Sequence, residues 1–225
     1  MKKEQLEYAA ARYGTPLYIF DLDILKKQTD RLRKALGKET GLCYAMKANP
    51  FLTEQMAEQA DRIEVCSMGE FEICRSLGIP PEKLFISGVL KKKEDIYRIL
   101  EIYGGKWRYT VESVRQLHYF LECSDTHMKT LRLYPRLTNG SQFGMDEETM
   151  RSIVSIVNMS PYLENEGIHY FSGTQKRHIR QSRQELQMLD RFLQKIRDEW
   201  NVEIRHLEYG PGTAVPYFIG KEAET

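Results

Sequence analysis

The chain has 225 residues, enough to bury one large α/β core. Its 33 lysines and arginines nearly balance 32 aspartates and glutamates, a formal charge of +1, which excludes a dedicated nucleic-acid surface of clustered basic residues. No apolar run approaches the roughly 20 residues that span a bilayer, and the polar start Met1-Lys2-Lys3-Glu4-Gln5 lacks signal-peptide character, so no membrane partner and a cytoplasmic location are expected.

In chain order, residues 4 to 12 read as a helix, broken at Gly14-Thr15-Pro16. Leu17-Tyr18-Ile19-Phe20 reads as a short strand. A second helix is expected from Asp23, as its N-cap, to Leu36, with Gly37 as the stop. From there apolar runs alternate with amphipathic stretches. The predicted strands are Leu42–Met46, Ile63–Cys66, Leu84–Ser87, Trp107–Val111, Thr130–Leu137, Gly167–Phe171 and Ile204–Tyr209. The predicted helices between them are Leu52–Ala60, Met68–Leu77, Lys92–Tyr103, Ser113–Cys123, Glu147–Met159 and Gln181–Trp200. Cys43, Cys66, Cys74 and Cys123 form no Cys-x-x-Cys pair and have no histidine at ligand spacing. No metal site is expected, and the thiols read as reduced.

Seven strand–helix alternations imply parallel strands with right-handed crossovers, either a doubly wound open sheet or a (β/α)8 TIM barrel. No Gly-x-Gly-x-x-Gly follows the first strand. Polar and glycine-rich residues instead gather at several strand ends: Lys47-Ala48-Asn49, Ser67-Met68-Gly69-Glu70, Ser87-Gly88, Ser172-Gly173-Thr174-Gln175 and Gly210-Pro211-Gly212-Thr213. A barrel gathers all those ends around one mouth, so the α/β barrel is the favoured fold. Residues 1–24 then form an N-terminal helix and entry strand, and residues 25–225 a barrel about one strand short.

Lys47 stands at the carboxyl end of the first barrel strand, where burial favours the neutral amine that attacks an aldehyde. Taken alone, that stretch fits a surface lysine on an edge strand as well. The glycines of Gly210-Pro211-Gly212 let backbone N–H groups approach a phosphate. Ser172-Gly173-Thr174-Gln175 offers hydroxyls and an amide, though a helix N-cap would use the same residues. Together the three features suit pyridoxal 5′-phosphate, which needs an amine for its aldehyde and donors for its phosphate.

Tyr44-Ala45-Met46-Lys47-Ala48-Asn49-Pro50 resembles the Schiff-base motif of the fold-type III pyridoxal-phosphate decarboxylases, which act on diaminopimelate, ornithine and arginine. Gly14–Asp21 resembles the entry strand of that family, Glu64–Glu70 its second-strand motif, and Gly167–Gln175 its Gly-x-His-x-His-x-Gly-Ser-Gln segment. Leu207-Glu208-Tyr209-Gly210-Pro211-Gly212 is similar to its Leu-Asp-x-Gly-Gly-Gly loop. The resemblance, strongest to diaminopimelate decarboxylases, covers essentially the whole chain. It implies an alanine racemase-like barrel in which Lys47 holds the cofactor covalently. It also implies that Thr174 takes the place of a phosphate-binding serine, and that Gly210 and Gly212 meet the phosphate. Glu64, Glu70, Arg132, His169 and Phe171 would lie around the cofactor; for Arg132 a structural ion pair is an equal alternative.

The resemblance has gaps. Phe171 stands where the family carries a histidine, and phenylalanine stacks but donates no proton. Pro211 removes one backbone N–H from the glycine loop. The segment Arg136–Met145 is shorter than the usual diaminopimelate version. An eighth strand with its acidic residue, and a following β-domain that completes the site across a homodimer interface, are expected beyond a truncated barrel. The activity implied is decarboxylation of a small amino acid, meso-diaminopimelate to lysine. Ornithine, arginine or a carrier-bound amino acid are alternative substrates, and a non-catalytic cofactor-binding barrel or an inactive fragment are alternative readings.

Overall fold

The computed structural model describes residues 2–215. Two helices lead in, α1 (Lys3–Tyr13) and α2 (Leu22–Leu36), followed by the strand β1 (Cys43–Ala45). Then come α3 (Thr53–Gln59), β2 (Arg62–Val65), α4 (Met68–Ser76), β3 (Leu84–Ile86), α5 (Lys93–Tyr103), β4 (Arg108–Val111), α6 (Val114–His127) and β5 (Leu131–Pro135). The last third holds α7 (Glu147–Met159), β6 (Leu163–Asn165), β7 (Gly167–Phe171), α8 (Ile179–Trp200) and β8 (His206–Gly210). All pairings are parallel, in the order β1-β2-β3-β4-β5-β6 and β7-β8. The expected α/β barrel alternation is therefore the observed one.

Strand β6 is absent from the predicted elements, and its register explains its place. Leu133 pairs with Asn165, while Arg136 bridges to His169, so the offset along β5 grows by one residue across Glu166. Strands β6 and β7 are thus one bulged strand on one edge of β5, with Glu166 at the extra position. The parity of the side chains changes there. Glu164 and Glu166 pair inward with Arg132 and Arg108, whereas beyond the bulge His169 and Phe171 face inward and Ile168 and Tyr170 pack outward.

Two expectations at the N-terminus are corrected. Leu17–Phe20 is not a strand: no strand among the described residues pairs with it, and Tyr18 is 91% exposed. The cap of α2 is Asp21, whose carboxylate accepts from the N–H groups of Asp23 and Ile24, and Asp23 lies in the first turn. Both aspartates satisfy the same composition rule, and backbone geometry decides between them.

The core lies between the strands and the surrounding helices. Ile63, Val65, Leu84, Ile86, Tyr109, Val111, Leu131 and Leu133 point outward into it and are essentially inaccessible. Helices α6, α7 and α8 meet them with Leu117, Phe120, Cys123, Ile153, Val154, Val157, Leu189, Phe192 and Ile196. Ser113 and Asp146 cap α6 and α7, accepting from Gln116 N–H and Thr149 N–H. Buried Trp107 donates to the hydroxyl of Tyr109 at 2.6 Å, which satisfies its indole inside this apolar layer. No helix among the described residues is long and apolar enough to cross a membrane.

Candidate active site

The inward faces of the same strands are polar. At their amino ends sit charged pairs: Arg62 with Glu208 at 3.2 Å and with the Tyr134 hydroxyl, Arg108 with Glu166 at 3.0 Å, and Arg132 with Glu164 at 3.6 Å. Arg132 is therefore placed low on β5, in an ion pair, four residues from the mouth-side Arg136. The mouth itself is built by the residues that follow each strand.

Lys47 occupies a single 3-10 turn, Met46–Ala48, immediately after β1. Buried Met46 anchors that turn against Cys74, and Tyr44 donates to the carbonyl of Asn49 at 2.7 Å. Asn49 accepts from Phe51 N–H and starts the next turn. The chain is pinned on both sides of Lys47, and the lysine projects over the barrel. Its Nζ lies 3.1 Å from Glu64 Oε2, 3.6 Å from Cys66 Sγ and 6.0 Å from the centre of the Phe171 ring. Ser87 donates to the other oxygen of Glu64 at 2.7 Å and lies 3.1 Å from Cys66 Sγ.

This arrangement corrects the expectation of a neutral amine. Burial does pull the Lys47 amine down, but Glu64 and Cys66 beside it outweigh burial and hold it above its ordinary value. Glu64 shows the converse: burial pushes it up, and Lys47 with Ser87 hold it below the usual carboxylate range. Lys47 and Glu64 thus form an ammonium–carboxylate pair, and a reaction of the amine with an aldehyde needs a base to accept its proton.

Glu70 serves the same region from one step back. Its carboxylate accepts from Cys66 N–H at 2.7 Å, one residue before the cap, while the N-cap Ser67 Oγ accepts from Glu70 N–H at 3.3 Å. The Ser67-x-x-Glu70 spacing carried that signal in the sequence. Glu70 orients the strand end that bears Cys66 and does not touch Lys47.

Beyond Phe171, whose ring lies 6.0 Å from Lys47 Nζ, the loops after β7 and β8 run together. Ser172 N–H donates to Gly210, Lys176 N–H to Gly212 and Ala214 N–H back to Lys176, at 3.0, 2.9 and 2.8 Å. Gly212 has φ of +63°, and a Cβ there would lie 1.8 Å from the carbonyl oxygen of Gly173, so only glycine fits the approach. A Cβ at Gly210 would meet the Phe171 ring at 2.6 Å. Among the described residues the N–H groups of Gly173, Thr174 and Gly212 have no hydrogen-bond partner. Thr174 is exposed beside them. These open donors on glycine-rich backbone can cradle an anion, and with the Lys47 amine they make up the donor set pyridoxal phosphate requires.

His169 lies one layer below Phe171 and is buried, with its Nδ1 unpaired and its ring 6.0 Å from Phe85. Burial, reinforced by the nearby Arg136, pushes its imidazole down to about 4. No local pattern announces the network around it. Glu112 accepts from Arg136 at 2.5 Å and from Thr110 at 3.0 Å, and Lys91 lies 3.8 Å away. Lys91 donates to Thr110 and to the carbonyl of Gly88, and burial pulls its amine down to about 8. A Cβ at Gly88 would sit 2.6 Å from the Cys66 carbonyl, so this glycine seats the Lys91 loop against the end of β2 that bears Cys66. Residues 91, 112 and 136 are far apart in the chain and meet only through the parallel register. The described residues contain no cluster of metal-ligating side chains.

Fold and site define an α/β barrel with an amine and an anion cradle at the carboxyl ends of its strands. Residues 22–225 match the family model described as "Pyridoxal-dependent decarboxylase, pyridoxal binding domain", and the chain belongs to that family. Pyridoxal phosphate is the cofactor of this domain. The chain is 27% identical to the diaminopimelate decarboxylase of Methanocaldococcus jannaschii over 96% of its own length and 55% of that protein. It is 26% identical to the L-glutamyl-(BtrI acyl-carrier protein) decarboxylase of Niallia circulans over 99% and 56%. The crystal structure of the M. jannaschii diaminopimelate decarboxylase in co-complex with L-lysine superposes with a TM-score of 0.84 at 24% identity, over 96% of this chain and 55% of that one. The chain spans about half the length of the curated relatives it matches.

Proposed function

We propose that this chain is the cofactor-binding barrel of a cytoplasmic, homodimeric amino acid decarboxylase that converts meso-diaminopimelate to lysine. The lead-in of residues 1–24 and the barrel from residue 25 onward would form about half of it, with residues 216–225 of that assignment outside the described residues. The observation that carries the reading is the amine of Lys47, 3.1 Å from Glu64 and 6.0 Å from the Phe171 ring, against which Gly210 of the paired glycine loops packs. Diaminopimelate decarboxylases from several organisms among the relatives support the choice of substrate.

In this reading Lys47 holds the cofactor through its amine, and the N–H groups of Thr174 and Gly212 hold the phosphate, with Gly210 giving the space. Phe171 lays its ring against the cofactor, and Glu64 receives or returns the proton of the Lys47 amine. Glu70 fixes the strand end behind Cys66, His169 supports Phe171 from below, and Arg132 closes the barrel floor. The bound cofactor supplies an electron sink for the carbanion left by carbon dioxide loss. The polar mouth admits a zwitterionic substrate, and Phe171 limits water at the face it covers.

Borohydride reduction in the presence of pyridoxal phosphate tests the site: a covalent label on Lys47 is expected, and labelling that persists in Lys47→Ala overturns the assignment. Carbon dioxide release by the full-length protein tests the substrate. Release from meso-diaminopimelate is expected. The second reading, a carrier-bound glutamyl substrate, is favoured by the match to the N. circulans enzyme over 99% of this chain. Release from the carrier-bound amino acid alone would select it.

A further inference from the structure

We infer that Glu185, on α8 outside the barrel, is a positioning residue that holds the two phosphate loops together and so sets the affinity for the phosphate of the cofactor. The inference rests on the reading that these loops bind that phosphate.

The carboxylate of Glu185 collects three donors from both loops. Ser172 Oγ donates to Oε1 at 2.6 Å, and the Tyr209 hydroxyl to Oε2 at 2.7 Å. Lys176 Nζ donates to Oε2 at 2.5 Å and lies 3.5 Å from the Tyr209 hydroxyl. Ser172 and Lys176 bracket Gly173-Thr174-Gln175, and Tyr209 immediately precedes Gly210-Pro211-Gly212. One side chain therefore grips both ends of the first loop and the base of the second.

The parity of the strands makes this possible. Phe171 points inward, so Ser172 turns outward to α8, and Tyr209 points outward to stack on Tyr170 at 6.3 Å. The fastening therefore lies on the α8 side of the loops, away from the inward-facing Phe171. The lysine and glutamate side chains are only 13% and 21% exposed, so the pair is largely shielded from solvent. Burial raises the Glu185 carboxyl, but Lys176, Ser172 and Tyr209 together hold it below its ordinary value, so it is anionic at neutral pH. Backbone spacing in the cradle is tight, as Gly212 and Gly173 show, and a shift of a few tenths of an ångström between loops would misalign N–H groups contributed by both.

The test compares pyridoxal phosphate with pyridoxal, which shares the aldehyde and ring but lacks the phosphate. In the unmodified chain the phosphate form should bind far more tightly. Glu185→Ala should weaken pyridoxal phosphate binding about tenfold or more, the scale of losing charge-assisted hydrogen bonds, and leave pyridoxal binding within about twofold. Glu185→Gln, which keeps an acceptor oxygen but loses the ion pair, should fall between. If Glu185→Ala does not fold, the Ser172→Ala, Tyr209→Phe double variant removes two donors and leaves the ion pair, and the same selective loss is expected. Equal weakening of both ligands, or of neither, overturns the inference. Equal binding of the two ligands by the unmodified chain would instead refute the phosphate reading of the loops.

Discussion

The two faces of the barrel strands obey opposite rules. Outward, Ile63, Val65, Tyr109, Val111, Leu131 and Leu133 form a dry layer with α4 to α8. Inward, Arg62, Glu64, Ser87, Thr110, Glu112, Arg136, His169 and Glu208 form a lining of charges and hydrogen bonds. The outer layer removes apolar surface from water and supplies the stability, roughly 1.5–3 kcal/mol for each large side chain buried. The lining repays little of its own desolvation cost, because buried ion pairs seldom gain more than they lose. What it provides is a set of fixed charges beneath the mouth.

The contrast is sharpest at Phe120, on the outer side. It is fully buried, 4.9 Å from the ring of Tyr109. Phe120→Ala should cost about 3–5 kcal/mol of folding free energy, read from the denaturant midpoint, with the remaining folded protein still capturing pyridoxal phosphate at Lys47. A much smaller cost would mean that the outer layer is not the main source of stability. Glu112 offers the matching inner change. Glu112→Ala strands Arg136 and the buried Lys91 without their carboxylate and should cost about 3 kcal/mol. An unchanged midpoint would mean that water enters the lining freely.

The smallest effect concerns pH. His169 has a folded value of about 4 against an ordinary 6.5, held down by burial and then by Arg136, while Glu64 and Glu112 oppose them. The unfolded chain therefore binds the extra proton first as the pH falls. The stability that neutral His169 contributes is complete above about 6.5 and is lost progressively from there towards 4, by about 2 kcal/mol between pH 7 and pH 5. His169→Gln should flatten that slope, and a slope that survives the substitution assigns the pH dependence to another group.

Much of the fold was legible because it depends on local pattern. The apolar runs and the amphipathic spacing of α8 fixed the alternation, and the glycines at 210 and 212 marked a loop that geometry reserves for them. Other features depend on partners that no local pattern reveals. Leu17–Phe20 has strand-like composition but no neighbouring strand, and β-propensity means little without one. Strand β6 has three residues, of which only Leu163 is buried, too few to show a period. The charge state of Lys47 turned on Glu64 and Cys66, brought to it by the next strand, and Glu112, Arg136 and Lys91 meet only after the sheet has formed.

The bulge at Glu166 acts as a phase shift in the reading frame of the barrel wall. Counting by twos from Glu164 would put Ile168 and Tyr170 inside the barrel and send His169 and Phe171 into the oily layer. One extra residue exchanges the two sets. Which residues line the barrel on this side is therefore encoded less in any side chain than in the number of residues before them.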